Sequence, residues 1–542
     1  MSTTRKTVAV IGAGISGLVS IKSCLEEGLE PVCFEQHDDI GGVWYNTDEL
    51  RQGQGPRAYD SLVTNSSKDM MCFSDYPYPK HYPPYLTCQM VHSYLHSYAE
   101  HFQLKKYIQF QKKIVKVSKA DDYDISGKWI VETESAEGDL NRHVVDAVMV
   151  CSGFYKIPHY PKVEGMEEFE GFKTHSQAFK TGQIYKDKTV LVVGNANSAG
   201  DIAADVSNYA KQVYLSVGDG CWILTRLTNG GIPRDFVHRR FLLQMMPESV
   251  VNRIIMQEAN RNLDHETAGV RPDKPPLRSC VLVNDEIQMK VMSGKVKVVD
   301  RLKKLRQRSA HFADGNVARD VDGVVFATGF DRDLSFLDSS VGGDNDKLEF
   351  YKMAFPVHLR HQTLAMIGCF STVGAHPPAF ELQARLAARV FAGKHRLPSE
   401  DIMVKDVEKW NTFVKERTGY YKYKVIFKVV LSLFQFPTLL IRDDIATELG
   451  VKPKFWDLFW TDPRLAFSCF FGPAFPVQYR LLGPGAWDGA AHACRQVYTN
   501  SIMAVQHRRP PPFKGGVVSK YLRLIVTIFV LSGILYLIGL TG

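Results

Sequence analysis

The hydrophobic pattern switches from a strand period to a helix period twice along the chain, in the same order each time. Val8 to Ile11 is a continuous apolar, β-branched run of the length expected for a strand buried on both faces. The turn Gly12-Ala13-Gly14-Ile15-Ser16-Gly17 follows, after which Leu18, Ile21 and Leu25 recur at helical spacing until Gly28 ends the helix. Pro31 to Phe34 is the next apolar run and ends in Glu35. The pattern returns at Lys188: strand Val190 to Val193, the turn Gly194-Asn195-Ala196-Asn197-Ser198-Ala199-Gly200-Asp201, a helix carrying Ile202, Val206 and Tyr209, and strand Val213 to Val217. Strand, glycine turn, helix and strand predict parallel α/β units of the dinucleotide-binding kind.

The remaining segments fill in around these two units. Gln89 to Phe102 reads as a helix, and Ile114 to Val117 and Trp129 to Glu132 as strands of a small sheet. Asp146 to Cys151 is a strand leading into Ser152-Gly153, while Tyr76 to Tyr85 alternates proline with aromatics and reads as irregular. Trp222 to Val298 reads as a long, mostly helical insertion rich in Arg, Met and aromatics. Asp322 to Phe326 is a strand ending in Ala327-Thr328-Gly329, after which the chain returns to the first unit; helix Phe380 to Phe391 carries Gln383 and Arg385. The predicted architecture is α/β, with two Rossmann-like domains, the second inserted in the first, plus a C-terminal membrane helix. The boundaries are 1–164 and 331–507 for the first domain, 165–330 for the second with its insertion at 222–298, 508–523 for a basic linker, and 524–542 for a transmembrane tail. Val425 to Ile441, Phe455 to Trp460 and Phe467 to Phe471 are strongly apolar and fit either core or a membrane-facing patch.

At 542 residues the chain is too long for one compact domain. Its net charge of +8 comes partly from a basic cluster near the C-terminus and does not argue for nucleic acid. The ten cysteines form no CxxC pair, so buried reduced thiols are expected, with neither disulfides nor a metal site. The first strand begins within eight residues, leaving no room for a signal peptide. From Leu524 to Gly542 there is no charged residue, and Arg508, Arg509, Lys514, Lys520 and Arg523 precede it. That pattern predicts a tail anchor contacting membrane lipid, with the body in the cytosol. A cytosolic body argues against glycosylation at the sequon Asn65-Ser66-Ser67.

The glycine turns carry the candidate chemistry. In the first, Gly12 permits the tight turn, Gly14 lets backbone approach a pyrophosphate, and Gly17 lets the helix pack close to the strand. The helix N-terminus offers unpaired N–H groups and a positive dipole end. Glu35 stands about 20 residues on, where an acid hydrogen-bonds a ribose hydroxyl. Gly41 and Gly42 would let the chain turn back over a cofactor. Two such units suggest two dinucleotides face to face, a tightly held flavin and a diffusible nicotinamide. The second turn departs from GxGxxG, reading Gly194-x-Ala196-x-x-Ala199, with Gly218-Asp219 after the next strand. An acid about 20 residues past the turn favours NADH. For NADPH, the 2′-phosphate would need another cation, such as Arg226 or Lys211.

Between the two units, Phe169, Gly171, His175 and Phe179 match the pattern FxGxxxHxxx followed by Tyr or Phe. With the GAGISG turn, Glu35, the GGVW run, the TNSS run, the ATG run at Thr328, Gly483-Pro484-Gly485-Ala486-Trp487 and the apolar tail, the whole chain resembles the flavin-containing monooxygenases. The resemblance implies FAD reduced by NADPH, dioxygen captured as a flavin hydroperoxide, and oxygen transferred to a soft nitrogen or sulfur atom of a small molecule. It also implies an endoplasmic reticulum membrane protein; a homo-oligomer is open. No dedicated acid or base is required, in keeping with the lack of a triad or carboxylate pair. Asn65 maps to the family's motif asparagine, expected to hydrogen-bond the oxygenated flavin or the coenzyme, and His175 is either a hinge or a participant. The residues expected around the cofactors are Gly12, Ala13, Gly14, Ile15, Ser16, Gly17, Glu35, Val43, Trp44, Thr64, Asn65 and Ser66 for the first unit. Gly194, Asn197, Ser198, Ala199, Gly200 and Asp201 are expected from the second, with Thr328, Gly329 and Gln383 from the return. Competing readings are Baeyer–Villiger oxygenation or NADPH oxidase activity on the same fold, a flavin disulfide reductase lacking its cysteine pair, and a membrane-tethered FAD binder without turnover.

Overall fold

Two parallel five-stranded sheets dominate the computed structural model, which describes residues 5–47, 54–228, 231–338, 349–370, 372–418 and 436–508. The chain opens with β1 (Thr7–Ile11), α1 (Ile15–Glu26) and β2 (Glu30–Phe34), then α2 (Cys88–His101) and β3 (Ile108–Gln109). A three-stranded antiparallel sheet (Lys112–Lys119, Trp129–Ser135, Leu140–Val145) precedes β4 (Ala147–Val150). The second sheet follows without interruption from the first: β5 (Phe172–His175), β6 (Thr189–Val193), α3 (Asn197–Val206), β7 (Gln212–Ser216), β8 (Val296–Val299) and β9 (Gly323–Phe326). The chain then returns with β10 (Leu364–Met366) and α4 (Pro377–Phe391).

The strand orders are β10-β4-β1-β2-β3 and β8-β7-β6-β9-β5. Strands buried on both faces are apolar, as β4 and β9 are throughout and β1 and β6 are after a first threonine. In each sheet the glycine turn leaves the carboxyl end of a central strand, β1 or β6, beside a parallel neighbour. That is where a doubly wound sheet binds ligands. The third antiparallel strand was not legible because Leu140–Val145 carries polar, exposed positions where an edge strand faces water.

The 222–298 insertion is not mostly helical. Its helices are Arg240–Met245, Glu248–Asn260 and Ile287–Met292, and a parallel pair, Trp222–Leu224 with Val281–Val283, ties its two ends together. Its last residues belong to β8, an edge strand of the second sheet, so the period-2 run Val296 to Val299 is sheet and not insertion. Near the C-terminus, Thr438–Leu449 buries Leu439, Ile441 and Ile445, which makes the end of the 425–441 run core; residues 425–435 lie outside those described. Phe455–Phe459 and Pro463–Phe471 each give one face to the core, through Leu458 and through Leu465, Ala466 and Cys469, while Trp456 (64 %) and, just past the first helix, Trp460 (79 %) stay exposed. Among the described residues no helix is long and apolar enough to cross a membrane, and the predicted tail at 524–542 lies outside them. All ten cysteines are buried, and none is bridged to another.

Candidate active site

The first glycine turn is built by backbone contacts that leave no room for larger residues. A Cβ on Gly17 would stand 1.9 Å from the Gly12 carbonyl oxygen, so α1 approaches β1 only because that position is glycine. Gly14 is the N-cap of α1 and no side chain caps it, which leaves the helix N-terminus available to an anion. Ala13 N–H donates to Glu35 Oε2 (2.7 Å) and His37 N–H to Oε1 (2.9 Å). Glu35 therefore braces the turn as well as facing the space in front of it, and its burial raises its pKa. The 41–44 turn folds back as expected: Gly41 N–H donates to the Ala13 carbonyl (3.1 Å), and Gly42 packs against Gly14.

A cavity of about 970 Å³ opens in front of this turn, at the upper end of the ~300–1,000 Å³ range of small-molecule sites. Gly12, Gly14, Ile15, Ser16, Glu35, Val43, Trp44, Thr64, Asn65 and Ser66 line it, and so does Asn197 at the start of α3. Both glycine-turn helices thus reach one space, and neither has a side-chain cap. Lys112, Lys113 and Lys156, which the sequence reading missed, add positive charge to the wall, with Lys156 Nζ 3.4 Å from Gln36 Oε1. The insertion supplies an apolar flank including Leu224, Val237, Leu242, Ile254, Leu277 and Val281. The uncapped turn and the lysines therefore suit a dinucleotide's phosphates, and the apolar flank suits an uncharged ligand beside it.

Other predicted residues support this space without lining it. Gln383 is fully buried and donates to the Lys352 and Met353 carbonyls while accepting from Gly368 N–H (3.0 Å), so it holds a cavity-lining loop rather than facing a ligand. Asp201 is a seam residue: Oδ2 accepts from the Tyr59 hydroxyl (2.5 Å) and Oδ1 from Asn284 Nδ2 (2.6 Å). Thr328 donates to the His159 carbonyl beside Gly329, where the chain crosses between units. Gly194 lies behind the second turn, where a Cβ would stand 2.5 Å from the Ala327 carbonyl oxygen. Ala199 and Gly200 are buried beneath it, the latter against Leu282, and Ser198 is exposed. Asn197 also accepts from Val283 N–H (2.8 Å), tying the insertion to α3.

His175 is a packing residue. It ends β5, is 2 % exposed, accepts from Gln177 N–H (3.1 Å) and stands edge-on to Phe330 at 4.9 Å, outside the cavity. Burial holds its pKa down to about 4, so the imidazole is neutral. Phe179 of the same motif is fully buried against Tyr59 and Tyr185. Segment 57–65 is the seam between the units: Tyr59 packs in the core of the second, and Ser61 donates to Asp205 Oδ2 (3.0 Å).

Arg226 closes that seam. Its Nε donates to the Thr64 carbonyl (3.0 Å), Nη1 to Asp285 (2.7 Å), and Nη2 to the Val63 carbonyl (3.1 Å) and Asn65 Oδ1 (2.9 Å). It is committed to the TNSS segment and is not the cation for a 2′-phosphate. Lys211 is not either, since it precedes β7, at the end of the sheet opposite the ligand edge. The cation at Gly218-Asp219 is Arg301, from the loop after β8: its guanidinium pairs with Asp219, and a Cβ on Gly218 would stand 3.5 Å from it. Sequence reading missed it because it looked along one strand and not across to the neighbour. Asp235 joins the same wall, accepting from Ser67 N–H (2.6 Å) and Oγ (3.0 Å), and burial pushes its pKa up to about 6.

Two parallel sheets, each with a glycine turn leading into an uncapped helix, the first turn and Asn197 of the second reaching one cavity, define a dinucleotide-dependent oxidoreductase fold. The chain belongs to the flavin-binding monooxygenase-like family, whose model matches residues 5–539. It is 42 % identical over 495 residues to dimethylaniline monooxygenase [N-oxide-forming] 2 of Rattus norvegicus, covering 90 % of this chain and 91 % of that one. It is 40 % identical over 501 residues to flavin-containing monooxygenase 5 of Cavia porcellus, covering 91 % and 92 %. Among solved structures, S-allyl-L-cysteine S-oxygenase from Allium sativum shares the fold with a TM-score of 0.62 at 22 % identity, over 92 % of this chain and 100 % of that one. Cyclohexanone monooxygenase from Rhodococcus sp. Phi1 shares it with a TM-score of 0.56 at 15 % identity, over 82 % and 98 %.

Proposed function

We propose that the chain is an NADPH-dependent FAD monooxygenase that oxygenates soft nitrogen or sulfur atoms of small molecules. The observation that carries this reading is the single cavity reached by Gly12, Gly14, Ile15 and Ser16, by Asn65 and by Asn197. In this reading the Gly12–Gly17 turn and α1 hold the FAD pyrophosphate, Glu35 takes a ribose hydroxyl, and Val43, Trp44 and Thr64 to Ser66 border the ring system. Bound FAD, reduced by the nicotinamide, supplies the activation of dioxygen that amino-acid side chains lack. Asn65 orients: with Oδ1 committed to Arg226, its amide offers the cavity N–H donors alone. The apolar flank of the insertion excludes water and admits an uncharged, soft substrate.

Arg301 supports NADPH over NADH. It offsets the charge of Asp219 and retains donors suited to a phosphate. The uncharged stretch 524–542, its basic approach and the exposed Trp456 and Trp460 support a tail-anchored protein with its body in the cytosol, and the family resemblance supports the endoplasmic reticulum as its membrane. Purified protein should be yellow and form an N-oxide from a tertiary amine, or a sulfoxide from a thioether, with one NADPH consumed per product. Absence of both products with the flavin bound and reducible would contradict the substrate class.

A further inference from the structure

Asp39, His92 and His96 form a cluster that oxygenation does not use. His92 and His96 stand one turn apart on α2, so their rings leave the same face of the helix. Asp39 comes from the turn before Gly41, far away in sequence, which is why no spacing in the chain announces the group. Asp39 Oδ2 lies 3.0 Å from His96 Nε2 and 3.6 Å from His92 Nε2. The three atoms all fall within 4.8 Å of one another. Asp39 Oδ1 is turned away and accepts from Ile40 N–H (2.8 Å), which fixes the carboxylate with Oδ2 toward the rings. The rings meet edge to face at 4.6 Å, and Tyr45 stacks on His92 at 5.5 Å.

The two carboxylate–imidazole separations, 3.0 and 3.6 Å, bracket those of a metal site. With bonds of about 2.0–2.1 Å, ligand atoms at the corners of a tetrahedral site stand roughly 3.3 Å apart. Two imidazoles and one carboxylate are a borderline-soft set of the kind zinc takes, and each side chain is 23–29 % exposed, which leaves an approach for the ion and a fourth corner for water. The same atoms without a metal would make a hydrogen-bonded network, with His92 Nε2 also 3.0 Å from the Ile40 carbonyl.

We propose that Asp39, His92 and His96 bind one zinc ion. The ion clips α2 to the turn that covers the first glycine loop, because that turn continues into Gly41, which is hydrogen-bonded to Ala13, and Gly42, which packs on Gly14. Binding zinc therefore stabilises the packing of this turn on the glycine loop. The site does not depend on the proposed reaction, so its test is independent of it.

The test uses untagged holoprotein, stripped with a chelator and titrated with zinc against a chromophoric competitor. One tight equivalent per chain is expected, accompanied by a rise in thermal midpoint. The double variant His92→Asn/His96→Gln should bind at least about 100-fold more weakly and lose the thermal shift. His96→Gln alone, on a partly exposed helix face, gives the same direction if the double variant folds poorly. Loading with cobalt(II) separates this site from the buried thiols: it should give visible ligand-field bands without a near-ultraviolet sulfur-to-metal band. No tight equivalent, an equivalent retained in both variants, or a sulfur band would each overturn the proposal.

Discussion

The Arg226 guanidinium meets two backbone carbonyls, one amide and one carboxylate, and no other side chain of that length could meet them all. Arg226→Lys keeps the charge but not the fork. Leaving half-buried partners unsatisfied costs about 1–3 kcal/mol, so product formed per NADPH consumed should fall roughly tenfold, read by quantifying oxide against coenzyme oxidised. An unchanged ratio would show that Asn65 needs no such brace. Asp235 gives a pH signature. Its folded pKa, about 6, is raised above the ordinary 3.8 by burial, so the folded protein holds the proton more tightly than the unfolded chain. The stability this brings is fully present below about pH 4 and is lost as pH rises through about 6. Relative to Asp235→Asn, the wild type should lose about 3 kcal/mol across that window, read as a divergence of thermal midpoints. Parallel midpoints would contradict the buried-proton account. At the coenzyme's end, Arg301→Ala should raise the NADP+ dissociation constant about tenfold with little change for NAD+, measured by titration of the flavin spectrum. Lys211→Ala should change neither.

Among the elements, the strand–turn–helix units were legible because their physics is local. A buried parallel strand must be apolar, and a glycine turn with a helix behind it tolerates few substitutes. Gly17→Ala tests this: its methyl would meet the Gly12 carbonyl oxygen at 1.9 Å, so α1 must move away from β1. The protein should purify with well under half its FAD, measured as the ratio of visible to protein absorbance; full flavin content would sink the close-packing argument. Elements defined by distant partners were not legible. Val296–Val299 reads as the tail of an insertion until β7 is placed beside it. Leu140–Val145 reads as polar loop until its hydrogen-bonded neighbour is known. The same holds for side chains. Gln383 and Asp201 have the polarity of ligand contacts, but their partners are a buried loop and a tyrosine from the other unit. Lys156, Arg301 and the Asp39–His92–His96 group carry no motif at all; folding alone brings them to the places where they stand.

At the scale of the whole molecule, function rests on the seam. Tyr59 inserted beside Phe179, Asp201 on the Tyr59 hydroxyl, and Arg226 on the Thr64 and Val63 carbonyls hold the two sheets so that both helix N-termini reach one cavity. The insertion closes the apolar side of the site. The central claim is that reducing power passes inside that cavity from coenzyme to flavin. The most direct measurement mixes purified, FAD-loaded protein with NADPH in the absence of oxygen and follows the flavin absorbance. The account predicts complete bleaching in a single turnover, faster with NADPH than with NADH at equal sub-saturating concentrations, and slowed at least tenfold in Arg226→Lys. A flavin that stays yellow in the presence of saturating NADPH would contradict it.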